Sequence, residues 1–257
     1  MVVGFAGSGN MSAGMARGWA SAERRPERML FSDGGSGRAR ALAEEVGGEA
    51  VAANAELAAA ADLLVLGVKP KDLDAVAAEA GEAPAVLSML GATPVARVAE
   101  AFPRSAAMRI MPNLGVEVHR GVMCFSAAPN VEEGLVSRTV ELLGALGRVV
   151  LIEDDLIDLA TAVMGCTPAY LALVVDEIAA AGAREGLDPE LSRSLMVDTA
   201  AATAELLRER SPEELTKAVA SPGGSTEAGL EALDREGARE AFAAAVAASL
   251  ARMRGDA

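Results

Sequence analysis

Aromatic residues are scarce in this 257-residue chain, at 3% against 51% apolar residues overall. An interior built mainly from Ala, Val, Leu and Met is expected, which suits closely packed helices. Cysteine is limited to Cys124 and Cys166, too few and too far apart for a disulfide framework or a thiolate metal site, so both read as reduced, small core residues. Histidine occurs once, at His119, with no acidic partner nearby in sequence, and a surface or packing role is expected for it. Lysine occurs only at Lys69, Lys71 and Lys217, and the formal net charge is -14. That balance argues against a nucleic acid partner and against an anionic membrane surface. Apolar runs that reach spanning length without charge, Gly or Pro are missing, and the apolar start at 2–6 is too short for a secretory signal and has no basic region before it. A cytoplasmic protein is expected. No Ser-His-Asp set, paired-carboxylate arrangement or metal-ligand spacing emerges.

The first part of the chain alternates short apolar runs with amphipathic stretches. Strands are expected at 2–6, 29–32, 62–68, 85–89, 108–111, 122–125 and 149–152, with helices at 11–22, 37–46 and 131–146 among them. Such alternation implies βαβ units and a mostly parallel sheet, with ligands at the carboxyl ends of the strands. After residue 153 the pattern turns helical, at 154–185, 189–210, 212–219, 226–234 and 238–254. The expected organisation is an α/β Rossmann-type domain over 1–152 followed by an all-α domain over 153–257. Ala-rich helices bury little area each, so the second domain is expected to pack against a second copy.

Two glycine-rich segments carry the chemistry. Gly7-Ser8-Gly9-Asn10-Met11-Ser12 matches G-x-G-x-x-small directly after a strand and before a helix, the context a dinucleotide fingerprint requires. Gly7 allows the tight turn, Gly9 admits the pyrophosphate to the backbone, and Ser12 is small enough for close helix–strand packing. At the end of the second strand, Ser32 and Asp33 precede Ser36, Arg38 and Arg40. Asp33 fits either a ribose 2′-OH acceptor, as for NADH, or a cap on the Gly34-Gly35 turn; Ser36 with Arg38 fits the 2′-phosphate of NADPH. NADPH is therefore expected, with NADH as the alternative coenzyme. Val68, Lys69 and Pro70 end the clearest strand, where Val68 is placed to face a nicotinamide ring. Asn54 starts a helix near the adenosine side or serves only as its N-cap. Asn113, after the strand ending Met111-Pro112, could place its amide in the cleft. The second segment, Ser221-Pro222-Gly223-Gly224-Ser225-Thr226, precedes a helix whose positive end suits a carboxylate.

Together GFAGSGNM (4–11), VKP (68–70), RIMPN (109–113), PAY (168–170) and SPGGST (221–226) make the chain resemble the pyrroline-5-carboxylate reductase family along nearly its whole length. The resemblance implies a Rossmann domain with a helical domain that interleaves with a partner's in a homodimer, often assembled further into decamers. It implies reduction of the C=N bond of a small cyclic imino acid by NAD(P)H, the last step of proline synthesis. It assigns the substrate carboxylate to Ser221 and to Gly223, Gly224, Ser225 and Thr226, and the imine nitrogen to the Thr226 hydroxyl. Cys166-Thr167, Leu114-Gly115 and 88–91 depart from the family's usual wording, so a reductase of another cyclic imine and a non-catalytic dinucleotide-binding dimer stand as alternatives.

Overall fold

A computed structural model of the chain describes residues 1–255. It divides into two compact units, residues 1–165 with the segment from Leu250, and Cys166–Ser249.

The first unit holds an eight-stranded sheet in the order β3-β2-β1-β4-β5-β6-β7-β8. Its strands are β1 (Val2–Ala6), β2 (Arg28–Ser32), β3 (Glu49–Ala50), β4 (Leu63–Leu66), β5 (Ala85–Ser88), β6 (Ala106–Pro112), β7 (Gly121–Ala127) and β8 (Gly147–Leu151). The helices between them are α1 (Asn10–Ser21), α2 (Arg38–Val46), α3 (Asn54–Ala60), α4 (Leu73–Ala80), α5 (Val95–Ala101) and α6 (Glu133–Gly144), and α7 (Ile157–Met164) follows β8. All neighbouring strands pair parallel except β6 and β7, where Pro112 lies opposite Met123. A single 3-10 turn, Leu114–Val118, joins those two, which leaves no room for a crossover helix.

Alternation along the strands builds two cores. Val3, Phe5, Met29, Phe31, Leu63 and Val65 face one side with Met15 and Trp19 of α1, while Leu30, Leu64 and Leu66 face the other with Leu57 of α3 and Val76 of α4. Both faces are covered, so the central strands are apolar throughout. Three of the seven aromatics meet beside α1: Phe5 stacks on Phe31 with centroids 5.2 Å apart and lies 6.1 Å from Trp19. Trp19 is fully buried and donates its indole N–H to the Leu142 carbonyl at 3.1 Å. Truncating it to Ala should cost about 3–5 kcal/mol.

The domain edge expected at 152 falls just past the end of β8, but the sheet unit runs on to Gly165. Packing explains the difference: Ile157 of α7 is buried with Met111 and Cys124. Arg109 of β6 adds a polar tie. Its guanidinium is 1% exposed and pairs with Asp158 at 2.6 Å and Asp154 at 3.4 Å. The same carboxylates accept the Val95 N–H at 3.0 Å and the Ala92 N–H at 3.4 Å. An unpaired Arg at that depth would be costly, so the two aspartates and the strand hold each other in place.

The second unit contains α8 (Thr167–Arg184), α9 (Pro189–Leu206), α10 (Pro212–Val219), α11 (Ser225–Arg235) and the first turns of α12 (Ala238–Arg254). Pro168 sits in the first turn of α8, where its missing N–H costs nothing, so it starts a helix and does not kink one. Tyr170 of α8 shares a hydrogen bond of 2.6 Å with Ser249 of α12. Only Ala179 and Ser192 are buried in this unit, and Leu171, Leu173, Ile178, Leu191, Leu195 and Phe242 are exposed. The stretch Asp154–Arg184 reaches the length and mean hydropathy of a membrane span, at 1.5 over its most apolar window, of which 11% is buried, but it is interrupted by Gly165 and Pro168 and carries acidic residues, as expected from the sequence. Many of its apolar side chains are uncovered within one chain, Leu159, Val163, Leu171, Leu173 and Ile178 among them.

Candidate cofactor cleft and anion loop

The carboxyl ends of β1, β2 and β4 open a cleft of about 630 Å³ in the first unit, at the point where the strand order turns from β1 to β4. Gly7, Ser8, Gly9, Ser32, Arg38, Asn54, Val68 and Lys69 line it, so most residues singled out for cofactor binding come together. Asn10 lines a neighbouring pocket of about 360 Å³ that shares Ser8, Gly9 and Arg38. Met11, Ser36 and Pro70 line neither; Met11 lies in the first turn of α1 and Pro70 starts the 3-10 turn Pro70–Asp72.

The glycine loop is shaped for an anion. Gly7 has φ +98, a conformation that side chains rarely adopt, and its N–H donates to the Ser32 carbonyl at 2.9 Å. Gly9 caps α1 without any side-chain hydrogen bond, and no acid stands in the first turn. A β-carbon on Gly9 would find its nearest neighbour 3.8 Å away, at the Gly67 carbonyl oxygen. With no side chain capping them, the first helical N–H groups are left for a ligand such as a diphosphate. Ser12 is buried against Gly67 and its hydroxyl has no partner, the price of a β1–α1 turn packed this tightly on the end of β4.

Asp33 settles into the second of its two sequence readings. Its carboxylate accepts the N–H groups of Gly35 at 2.9 Å, Ser36 at 3.1 Å and Ala39 at 2.8 Å, and the Ser36 hydroxyl at 2.7 Å. It therefore caps the turn and the start of α2, with its acceptor sites engaged there although it also lines the cleft. Partial burial pushes its pKa up, but the hydrogen bonds from Ser36, Ala39, Gly35 and Arg38 outweigh that and hold it below the ordinary carboxylate value. Arg38 donates to the Ser36 hydroxyl at 3.2 Å and, among the described residues, forms no ion pair. Asn54 is not an N-cap: Ala53 holds that position, and the Asn54 side chain bonds Ser32 and Glu79 instead.

Asn113 is corrected more sharply. Its Oδ1 accepts the N–H groups of Gly115 and Val122 at 3.2 and 3.1 Å, and its Nδ2 donates to the Met164 carbonyl at 3.2 Å. The amide closes the β6–β7 turn and anchors the end of α7, so it is engaged within the fold and lines neither pocket of the cleft. Cys124 is buried, and burial pushes its thiol pKa up; Cys166 is only half-buried and precedes α8, which corrects the expectation of two core cysteines.

In the second unit, Ser221–Gly224 form a tight turn before α11. The Gly224 N–H donates to the Ser221 carbonyl at 2.9 Å, and the Gly223 N–H, at φ +70, donates to Glu227 Oε2 at 2.7 Å. Neither glycine therefore offers a free donor, contrary to the expected cradle, because Gly224 is the residue that caps the helix and its N–H points back into the turn. The open donors are the first-turn N–H groups of Ser225 and Thr226. Thr226 is half-buried and, among the described residues, its hydroxyl has no hydrogen-bond partner. Sequence reasoning missed Glu227 on this loop and Glu79 and Gly67 in the cleft; the Glu at the third position of α11 was the one available signal, since such residues reach back to the residues before a helix.

Known proteins resemble the chain over both units. The family model described as pyrroline-5-carboxylate reductase dimerisation matches residues 154–255, and the model described as NADP oxidoreductase coenzyme F420-dependent matches residues 2–90. The pyrroline-5-carboxylate reductase of Synechocystis sp. is 36% identical over 204 residues, which are 77% of this chain and 76% of that protein. That of Thermus thermophilus is 33% identical over 257 residues, 98% of this chain and 97% of its own. The crystal structure of the 1-pyrroline-5-carboxylate reductase of Streptococcus pyogenes superposes with a TM-score of 0.92 at 25% identity, covering 99% of this chain and 98% of that one.

Proposed function

Because the chain belongs to the pyrroline-5-carboxylate reductase family, we propose that it reduces 1-pyrroline-5-carboxylate to L-proline with NADPH, in the cytoplasm, as a homo-oligomer. The observation that carries this reading is the start of α1, capped by no side chain and sharing a pocket with Arg38, in a chain that also holds a turn before α11 followed by a threonine whose hydroxyl has no partner among the described residues. NADPH, when bound, supplies the hydride that reduces the C=N bond. The chain's own part is positioning. The first N–H groups of α1 bind the pyrophosphate, Ser36 and Arg38 hold the 2′-phosphate, and Asn54 meets the adenosine half. The α11 N–H groups of Ser225 and Thr226 take the substrate carboxylate, and the Thr226 hydroxyl hydrogen-bonds the imine nitrogen. A 1-pyrroline nitrogen is basic enough to gain its proton near neutrality, so no strong acid is required, which agrees with a loop that offers a hydroxyl and backbone donors.

The helical segment that matches the dimerisation model leaves most of its apolar residues uncovered in one chain, which supports a two-fold pair, with a decamer of such pairs as the larger assembly. The deciding experiment follows NADPH and NADH oxidation by the purified protein against a panel of pyrroline and piperideine carboxylates. Preference for 1-pyrroline-5-carboxylate with NADPH is expected. Turnover confined to another imine, or none with any, would overturn the reading.

A further inference from the structure

A relay of three side chains crosses the cleft at the end of β2. Ser32 Oγ donates to Asn54 Oδ1 at 2.5 Å, Asn54 Nδ2 donates to Glu79 Oε2 at 2.7 Å, and the Asn54 backbone N–H donates to Glu79 Oε1 at 3.0 Å. All three residues line the same cleft. An ionised carboxylate only accepts, so Glu79 selects the NH₂ side of the Asn54 amide and turns Oδ1 toward Ser32, which can donate. One hydrogen of Nδ2 meets Glu79 and the other remains available. Glu79 is not placed there by packing: it lies on the exposed side of α4, whose buried side is Leu73, Val76 and Ala80. Nor does a cation hold it, since among the described residues it forms no ion pair. Both of its hydrogen bonds go to one residue.

We infer that Glu79 is a positioning residue for the dinucleotide: it locks the Asn54 amide so that a fixed donor faces the adenosine half of the cofactor. This rests on the reading of the cleft as the NADPH site. The adenosine half is common to NADPH and NADH, so Glu79 acts on both alike, in contrast to Arg38, which faces a phosphate that only NADPH carries.

The test titrates NADPH and NADH, by their fluorescence, onto the whole protein and its Glu79→Ala, Glu79→Gln, Asn54→Ala and doubly substituted Asn54→Ala/Glu79→Ala variants. Glu79→Ala should raise Kd for both nucleotides by about three- to tenfold, the scale of one lost hydrogen bond. Glu79→Gln should recover part of that, because its one amide oxygen can still accept the Asn54 Nδ2 hydrogen while its NH₂ cannot replace the oxygen that meets the backbone N–H. With Asn54 already Ala, removing Glu79 should change Kd no further, since the effect travels through that amide. An unchanged Kd in Glu79→Ala, a lowered Tm included, or an undiminished effect in the Asn54→Ala background overturns the inference. A wild-type protein that binds neither nucleotide would remove the cofactor reading itself, and this inference with it.

Discussion

Gly7 and Gly67 approach so closely that a β-carbon on Gly7 would lie 2.8 Å from both the carbonyl carbon and the carbonyl oxygen of Gly67. The strand ends of β1 and β4 therefore admit no side chain between them, and the backbone of the glycine loop rests directly on the neighbouring strand. Gly7→Ala adds strain at φ +98 to that overlap. It should lower stability by about 1–3 kcal/mol and weaken NADPH binding more than stability, because the loop can relieve the contact only by moving into the cleft. Thermal melting with and without NADPH separates the two effects; a variant with wild-type cofactor affinity contradicts the loop's assigned role.

Arg38 and Ser36 should set the choice of coenzyme. Arg38→Ala should raise KM for NADPH by about tenfold or more, the scale of a lost charge-assisted pair, and leave KM for NADH nearly unchanged. Equal effects on both would remove the phosphate-site argument.

Asp33 should contribute to stability in a pH-dependent way. Its carboxyl has a folded-state pKa below the unfolded value of about 3.9, so its contribution is complete above that value and is lost as pH falls through the folded pKa. Asp33→Asn should lower stability at neutral pH by about 1 kcal/mol, as for a weakened cap. The gap to wild type should close below about pH 4. Denaturant melts across the acid range check this, and a gap that stays constant to the lowest pH refutes it.

Much of the first unit was legible because its signals are local. A strand, a glycine turn and a helix start lie within a dozen consecutive residues at 2–12, and their pattern is enough to place them. What escaped is non-local. Ser32, Asn54 and Glu79 stand 22 and 25 residues apart, and nothing in their neighbourhoods marks them as partners. Arg109 reads as one residue of a strand until Asp154 and Asp158 are brought beneath it. The two-residue strand Glu49–Ala50 is too short for any periodicity, and α7 looked like part of the helical region because helical spacing does not reveal which core Ile157 joins. Asn113 sat in the right motif, but the hydrogen bonds that occupy it come from residues up to 51 positions away.

Thr226 is the residue on which turnover should depend. In the role proposed for it, its hydroxyl would bond the imine nitrogen more strongly as the imine becomes an amine, and so would matter more in the transition state than before it. Thr226→Ala should lower kcat by roughly ten- to a thousandfold, the range for one positioned donor, with NADPH affinity unchanged. Thr226→Ser should keep most activity. Wild-type turnover by Thr226→Ala would leave the carboxylate contacts alone to carry the substrate.

Association should be measurable directly. With only Ala179 and Ser192 buried between Cys166 and Ser249, the helices need a second chain to cover their apolar side chains. Light scattering should report a dimer or larger at micromolar concentration, and a stable monomer there would contradict this.

The thin interior of the helical unit also changes how inheritance acts on the protein. In a two-fold pair a substitution on the shared face alters one interface from both sides at once, whereas a substitution in the sheet alters only the interior of its own chain. Exposed apolar positions such as Leu171 and Leu195, if the pair covers them, then tolerate less than their exposure in one chain suggests. The sheet drifts as one molecule; the helices are constrained as two.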